Sequence, residues 1–456
     1  MSSRRSRIFG LLFGLLFCGQ LSAQIESSSD VINPTINSPF SRFGLGDFMD
    51  QYFAASGAMA GLRAAYQDPY HMNLDNPASL ASLRATSFEV GLGARYSSWE
   101  SPSVVDNQWS GNLRYLALGF PLFNPINEAL DRKDGSTGWG MSIALVPYTL
   151  VGYDIESQVT DENFDVATNV LKGKGGTYRF RWGNAFRYKG FSAGVNLNYS
   201  FGKLTQNRKV SFDSLLVSYD TEFLDEFSIS GVGFDIGLQY RFRLDQPDED
   251  DNSATAGQFL TIGAFGNNQN EIRTNSSRFY HRDNFVNYTT DIRDTLLFEN
   301  NIEERLNLPA QFSVGITYEQ VNKLKLGAEY SVGNWSQYRN EAKEETLMDT
   351  YKFSFGAEYV PNILSYNNYF ERVYYRAGFY YGTDPRHVDG SQLRQVGLTF
   401  GAGFPIVMPR QQVSFFDISF EIGQFGLNEV LNETYGKLTL GFTLNDNTWF
   451  LKRKFN

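Results

Sequence analysis

The residue types that most often carry chemistry are scarce in this chain. Its 456 residues include one cysteine and three histidines, His71, His281 and His387, which lie far apart in the sequence. Nucleophilic catalysis needs a nucleophile, a base and an orienting group, and no such set is visible. Zinc sites are built mostly from cysteine and histidine, for which there is little material. The sequence therefore predicts a protein that is not an enzyme and that uses no cofactor and no metal.

Two short runs of charged residues could bind ions, but each has a simpler interpretation. Asp248-Glu249-Asp250-Asp251 could hold a cation, although acidic runs are usually solvated turns. Lys172-Gly173-Lys174-Gly175-Gly176 lacks the spacing of a phosphate-binding loop. The formal net charge is −10. This balance argues against nucleic acid as a partner, since the phosphate backbone is bound by basic surfaces.

Most of the remaining polar residues alternate with apolar ones. From about residue 87 to residue 444, this alternation runs over stretches of about ten positions that are separated by turns or polar loops. In one stretch, Phe191, Leu197 and Phe201 fall on one face, and Asn196 and Asn198 fall on the other. A period of two places alternate residues on opposite faces of a β-strand.

We count fourteen such segments, an even number that is typical of antiparallel barrels of the bacterial outer membrane. They are centred near Leu92, Leu116, Ile143, Phe180, Leu197, Ile236, Ile262, Val314, Leu326, Phe355, Ala377, Leu398, Ile418 and Leu440. The alternative is a secreted soluble all-β protein, but no repeat of 40–50 residues indicates a propeller. The sequence predicts an all-β, 14-stranded antiparallel transmembrane β-barrel with apolar residues facing lipid. The polar face carries four arginines, Arg179, Arg181, Arg241 and Arg243. We expect them to pair with the inward acids Asp235, Asp417 or Glu421, or with groups of the N-terminal region.

The chain divides into four regions. Residues 1–23 are predicted to be a cleaved signal peptide, with basic residues before a short apolar stretch and a small residue, Ala23, at its end. A lipid anchor on Cys18 is disfavoured by the large Phe17 before it. Residues 24–85 are predicted to be an N-terminal extension and a plug, or alternatively a small periplasmic domain. Residues 86–444 would form the barrel, and residues 445–456 a periplasmic tail that anchors at the inner interface or docks a partner.

The region before the barrel carries the most specific motifs. Ser38-Pro39-Phe40-Ser41-Arg42-Phe43-Gly44 is followed by Ala58-Met59-Ala60-Gly61 and by Asn76-Pro77-Ala78 directly ahead of the first predicted strand. This arrangement resembles the N-terminal hatch of the FadL-type outer-membrane transporters, in which an Asn-Pro-Ala box ends the hatch and fourteen strands follow. The start of the hatch and the basic tail, Trp449-Phe450-Leu451-Lys452-Arg453-Lys454, resemble the Bacteroidota branch of that family.

The resemblance implies outer-membrane transport of hydrophobic small molecules, of the fatty-acid or aromatic-hydrocarbon type, by hatch-gated entry and lateral release. Pro147, in the third predicted strand, is the candidate for the lateral gate, because proline interrupts a sheet; the alternative is a strand that ends early. Aromatic residues of a long outer connection are the candidates for ligand binding, with ordinary loop packing as the alternative: Phe279, Tyr280, Phe285 and Tyr288.

The expected partners are membrane lipid, a hydrophobic ligand and, during biogenesis, the outer-membrane insertion machinery. The second hypothesis is a FadL-like barrel that transports nothing and acts as an adaptor or accessory subunit of a protein secretion or surface complex. A continuous apolar pocket beside a break at Pro147 would favour transport. A sealed wall with long structured outer loops would favour an adaptor. Both hypotheses place the protein in the outer membrane of a Gram-negative bacterium.

Overall fold

The computed structural model describes residues 38–102, 104–123, 137–161, 165–212, 219–245, 257–286, 290–408, 412–427 and 430–446. The predicted signal peptide, the extension up to residue 37 and all but two residues of the predicted tail lie outside these described residues. Within them, no helix is long and apolar enough to cross a membrane.

The described chain is built almost entirely of β-strands. In chain order they are β1 (Asp47–Phe48), β2 (Thr86–Glu100), β3 (Val105–Pro121), β4 (Thr137–Asp161), β5 (Asp165–Tyr188), β6 (Phe191–Phe212), β7 (Asp220–Arg243), β8 (Gln258–Asn267), β9 (Asn270–Val286), β10 (Thr290–Leu308), β11 (Gln311–Gln320), β12 (Leu324–Gly333), β13 (Arg339–Asn340), β14 (Thr350–Tyr359), β15 (Tyr374–Val388), β16 (Ser391–Met408), β17 (Gln412–Leu427) and β18 (Leu431–Asp446). The helical elements are the single turn α1 (Ala54–Gly57) and four 3₁₀ turns, Pro39–Arg42, Pro77–Ser82, Trp335–Gln337 and Tyr369–Arg372.

Fourteen of these strands form a closed antiparallel barrel. Strand β18 pairs with β2, with Leu440 opposite Leu92, and this pairing closes the wall. Strand β8 pairs directly with β11, so β9 and β10 lie outside the ring, as do the two-residue strands β1 and β13. All fourteen predicted strand centres fall in the fourteen wall strands. The predicted fold class is therefore confirmed.

The two faces of the wall differ as the alternation predicts. Outward-facing Leu197 and Phe234 are 45% and 51% exposed, whereas inward-facing Asn196 and Asn198 are buried. A continuous belt of exposed apolar side chains is stable only where lipid covers it. The belt therefore identifies the barrel as a transmembrane one.

The chain ends of the barrel mark its periplasmic side. Thr86, where β2 starts, pairs with Asp446, where β18 ends, and both ends of an outer-membrane barrel lie on the periplasmic side. The opposite, outer end carries the hairpin of β9 and β10, whose first strand pairs with Asp220–Ser230 of β7. The sequence had indicated only a long polar connection here. It is ordered because the outer half of β7 offers an unpaired edge that β9 completes.

Residues 38–85, which we call the N-terminal segment, lie against the inner face of the wall. Near the periplasmic end, Phe53, Met72 and Leu80 of this segment pack with Tyr115 of β3 and Val146 of β4. Near the outer end, a larger apolar cluster joins the segment to β4, β6, β7, β9 and β10, and its members include Leu45, Tyr148, Leu204, Phe227, Ile272, Leu306, Trp335 and Tyr338.

Candidate functional site

The Asn-Pro-Ala motif forms a buried turn that is fitted against the wall. Asn76 caps the 3₁₀ turn Pro77–Ser82, because its Oδ1 accepts a hydrogen bond of 3.1 Å from the Ala78 N–H. Its Nδ2 donates to the Ala64 carbonyl oxygen at 2.6 Å, which ties the turn to the preceding part of the segment. Capping satisfies N–H groups that would otherwise be buried without partners. The motif therefore fixes the shape of the N-terminal segment.

Glycines on the inner face of the wall make room for this segment. A Cβ atom on Gly237 of β7 would lie 2.0 Å from Asn76 Oδ1, and one on Gly194 of β6 would lie 2.6 Å from the Pro77 carbonyl carbon. On the opposite wall, a Cβ on Gly401 of β16 would lie 2.5 Å from Ala58 Cβ. The inward glycines thus serve close backbone approach between the wall and the segment.

A buried ion-pair network holds the middle of the N-terminal segment to two sides of the barrel. Asp75 lies 2.7 Å from Nη1 of Arg181 on β5 and 3.2 Å from Nη1 of Arg63. Arg63 also reaches Glu329 of β12 at 3.2 Å. Burial would raise the pKa of Asp75, but Arg181 and Arg63 lower it below the usual value. The network therefore keeps Asp75 ionised, and it links β5 to β12 through the N-terminal segment.

A second network holds the start of the segment. Asp50 lies 2.8 Å from Nζ of Lys437 on β18 and 3.3 Å from Nη2 of Arg114 on β3. Lys437 in turn lies 2.6 Å from Glu421 of β17. Burial alone would raise the pKa of Asp50, yet the two cations hold it well below the usual range. Charges that could line an ion path are thus paired with the N-terminal segment.

His71 sits between two carboxylates of the wall. Its Nδ1 is 3.8 Å from Glu89 of β2, and its Nε2 is 3.7 Å from Asp417 of β17. Burial would lower the pKa of His71, but the attraction of Asp417, Asp68 and Glu89 raises it to about 9. A cationic His71 therefore completes the attachment of the segment. We call these three ion-pair groups, around Asp75, Asp50 and His71, the luminal clamp.

Pro147 marks the point at which β4 changes its neighbour. Strands β3 and β4 pair from Pro121 and Gly140 up to Leu116 and Leu145, and a bulge follows at Pro147 in the pairing of β4 with β5. Beyond this point, β1 pairs with β4. The Pro147 carbonyl oxygen accepts a hydrogen bond of 2.7 Å from the Gln51 side chain. The N-terminal segment thus occupies the edge of β4 that β3 leaves.

In the described part of the chain, a cavity of about 670 Å³ lies beside Phe43 and Arg386 near the outer end. Two others lie between the N-terminal segment and the wall, and both are strongly charged. One of about 290 Å³ is lined by residues that include Asp50, Arg63, Asp75, Arg179, Arg181 and Asp235. The other, of about 240 Å³, includes Arg84, Arg187, Arg241, Glu319, Lys325 and Glu358. Small-molecule sites are usually larger and lined mainly by apolar groups. Neither cavity has the lining that an apolar solute would need.

The four aromatic candidates do not gather in one described pocket. Phe279 and Tyr280 are consecutive in β9 and point to opposite faces; Phe279 packs edge-on against Phe298, and the Tyr280 hydroxyl donates to Asp225 Oδ1 at 2.9 Å. Phe285 belongs to β9, where only its backbone is described, and Tyr288 lies outside the described residues. A role in ligand binding for these residues stays a prediction.

Sequence reasoning anticipated some of the clamp and missed the rest. The prediction for Arg181 is confirmed, since it lies 2.7 Å from Asp75 of the N-terminal segment and 3.9 Å from Asp235. Asp417 and Glu421 do pair inside the barrel, but with Arg376 and Lys437 and not with the four predicted arginines. Arg241 and Arg243 pair with Glu319 and Asp245 instead. Asp50, Arg63 and Asp75 carried no signal, because they lie in a segment without strand periodicity. The available hint was that isolated charges on the polar faces of wall strands, such as Lys437, need partners if they are buried.

Several solved structures of similar fold are described as hydrocarbon channels or toluene transporters. The monoaromatic hydrocarbon channel CymD matches with a TM-score of 0.53 at 14% identity, covering 88% of this chain and 99% of that chain. The toluene transporter TbuX of Ralstonia pickettii matches with a TM-score of 0.52 at 15% identity, covering 87% and 99%. The toluene transporter TodX of Pseudomonas putida matches with a TM-score of 0.51 at 15% identity, covering 87% of this chain and 99% of that chain. At such identities the likeness establishes the shared FadL-type barrel fold.

Sequence comparisons give the family. No curated protein matches the chain. The family model described as BamG matches residues 15–456, which is nearly the whole chain. The chain therefore belongs to the BamG family.

Proposed function

We propose that this protein is a closed barrel that acts as an accessory subunit of the outer-membrane biogenesis machinery. The observation that carries the proposal is the luminal clamp. Asp50, His71 and Asp75 bind the N-terminal segment to wall strands on different sides of the barrel. Removing one partner of a buried ion pair is costly, so the segment is expected to stay in place as a plug. A barrel that stays closed is suited to binding a partner.

Two further observations support a binding role over conduction. The apolar cluster around Tyr148, Leu204 and Trp335 packs near the outer mouth, where a solute would have to enter. The BamG family match is itself a pointer to the outer-membrane biogenesis machinery. The resemblance of the hatch start and the basic tail to the Bacteroidota branch is consistent with an accessory role in this machinery, and the branch itself stays a prediction.

The loop between β14 and β15 is the surface that we propose for this contact. At the periplasmic end it presents Leu364, Tyr366 and Phe370, which are 64%, 98% and 65% exposed. The loop is held by a hydrogen bond of 2.8 Å from the Asn362 N–H to the Glu371 carbonyl oxygen. Large apolar side chains presented on an ordered loop are typical of protein contacts.

The test is purification of the tagged full-length protein from its own outer membrane in mild detergent, followed by mass spectrometry of bound proteins and lipids. We expect the barrel-insertion subunit of the assembly machinery in stoichiometric amount. Replacing Leu364, Tyr366 and Phe370 by serine should release it. The control replaces Val104 and Val105, which are 61% exposed at the outer end, by serine. Recovery of an apolar ligand without any stoichiometric protein would refute the proposal.

Transport of an apolar solute is the second candidate, and one observation favours it. The pairing of β3 with β4 ends at Leu145, just before Pro147. A solute that leaves the lumen sideways would need such an interruption in the hydrogen bonding between neighbouring wall strands. The FadL-type fold agrees with this idea. Release would require the N-terminal segment to leave the edge of β4. Phe48 and Thr149 are register partners, so a disulfide between cysteines placed at these two positions would prevent that movement. The test compares toluene uptake by vesicles that contain the oxidised or the reduced double variant. Equal uptake in the two states would argue against this route.

A further inference from the structure

The outer hairpin carries a cluster of metal-ligating side chains that lies apart from the luminal clamp. Glu222 of β7 and His281 of β9 are register partners in the antiparallel pair, and Asp283 follows His281 by two positions. Residues that are paired across two strands, or two apart on one strand, share a face of the sheet. The pairing of β7 with β9 therefore brings together three potential ligands that are far apart in the sequence.

The distances suit a tetrahedral metal ion. His281 Nε2 lies 3.1 Å from Asp283 Oδ2 and 3.4 Å from Glu222 Oε2, and one ligand atom from each of the three residues falls within 4.8 Å of the others. Ligands about 2.1 Å from a tetrahedral zinc ion are about 3.4 Å apart. The cluster therefore needs little rearrangement to enclose such an ion, and it leaves a fourth position for water.

His281 is buried in a way that calls for a partner. Its side chain is 5% exposed, and neither ring nitrogen makes a hydrogen bond of acceptable geometry with any group in the described part of the chain. The ring is stacked on Phe279, with centroids 4.7 Å apart, which fixes its plane. Burying an imidazole without hydrogen bonds is unfavourable, and a metal bond at Nε2 would remove that cost.

The surroundings orient Glu222 toward the ring of His281. Glu222 Oε1 accepts a hydrogen bond of 2.5 Å from the Asn207 side chain, which leaves Oε2 directed at His281. Such hydrogen bonds to ligand groups are typical of metal sites. Lys209, the register partner of Glu222 on β6, is paired with Asp220 at 2.8 Å. The side chains of Glu222 and Asp283 are 29% and 17% exposed, so an ion can enter from solvent.

We infer that Glu222, His281 and Asp283 form a binding site for a divalent transition-metal ion of the zinc type on the outer surface. A mixed imidazole and carboxylate set favours zinc over magnesium or calcium, which prefer oxygen ligands alone. Since the ligands come from two strands, the ion would fasten the β9–β10 hairpin to β7. This role is independent of the proposed function at the periplasmic end.

The test measures binding of ZnCl₂ to the full-length protein in detergent after removal of metals with EDTA. We expect one zinc ion per chain, and a loss of affinity of about tenfold or more in each of His281→Asn, Glu222→Gln and Asp283→Asn. His387→Asn is the matched control, because that histidine lies on β15 and hydrogen-bonds to Thr346. Heat-modifiable migration in gels verifies that each variant is folded.

A second variant separates metal binding from a simple ion pair. His281→Cys should retain zinc binding, since a thiolate is a zinc ligand, and zinc should raise the melting temperature of this variant and of the wild type but not of His281→Asn. The inference is overturned if the wild type binds no stoichiometric zinc. It is equally overturned if His281→Asn binds zinc as the wild type does, or if magnesium displaces zinc at equal concentration.

Discussion

Buried charge is the feature that most distinguishes the N-terminal segment at the scale of single residues. Asp50, His71 and Asp75 each face oppositely charged groups on wall strands. Desolvation makes such pairs poor sources of net stability, but it makes the loss of one partner strongly destabilising. The clamp therefore specifies one position of the segment, and its breakage should be measurable residue by residue.

Asp75→Asn tests the clamp most simply. It leaves Arg63 and Arg181 buried with one fewer counter-charge, so we expect the free energy of unfolding to fall by about 3 kcal/mol. Asp154→Asn is the control, because Asp154 pairs with Lys172 where both side chains are about half exposed; we expect it to cost less than about 1 kcal/mol. Equal effects of the two substitutions in thermal unfolding would contradict the role of Asp75.

His71 should make the stability depend on pH. Its folded pKa of about 9 lies above the ordinary histidine value of 6.5, so the stabilisation is fully present below pH 6.5 and is lost as pH rises through about 9. We expect the difference in melting temperature between wild type and His71→Gln to shrink between pH 6 and pH 9.5. A constant difference over that range would show that His71 does not bind its proton as proposed.

At the scale of elements, the wall was predictable and the inner contacts were not. Strand alternation depends on local sequence, so segments such as those around Leu197 and Ile236 could be placed from the sequence alone. Pairing between distant residues has no local signature: Glu222 and His281 are 59 positions apart and meet only because β9 pairs with β7. The expectation that no metal is used came from the small number of cysteines and histidines. Composition cannot show which residues strand pairing brings together.

Gly237→Ala tests the fit of the Asn-Pro-Ala turn to the wall. The new Cβ would lie 2.0 Å from Asn76 Oδ1, so the turn or β7 must shift. We expect a stability loss of about 1–3 kcal/mol and faster proteolysis of the N-terminal segment. Gly436→Ala is the matched control, since its nearest side-chain neighbour would be 3.8 Å away. If both variants resist protease as the wild type does, the turn is not seated as described.

At the scale of the whole molecule, the N-terminal segment contacts the barrel wall at several levels. The apolar cluster lies near the outer end, the luminal clamp and the inward glycines hold the N-terminal segment across the middle, and the same segment pairs with the edge of β4 beyond Pro147. The FadL-type fold was recognisable from motifs and strand number. Whether that fold conducts depends on how tightly the segment is held, which is a property of long-range contacts and could not be derived from the sequence.

The most direct test of the closed barrel is ion conductance in planar lipid bilayers. We predict that the full-length protein forms no conducting pore, and that a variant lacking residues 38–80, verified as a folded barrel by heat-modifiable migration, conducts in discrete steps. Asp75→Asn should show brief openings between these extremes. Steady conductance of the full-length protein equal to that of the deletion variant would contradict the account, because the N-terminal segment would then not close the lumen.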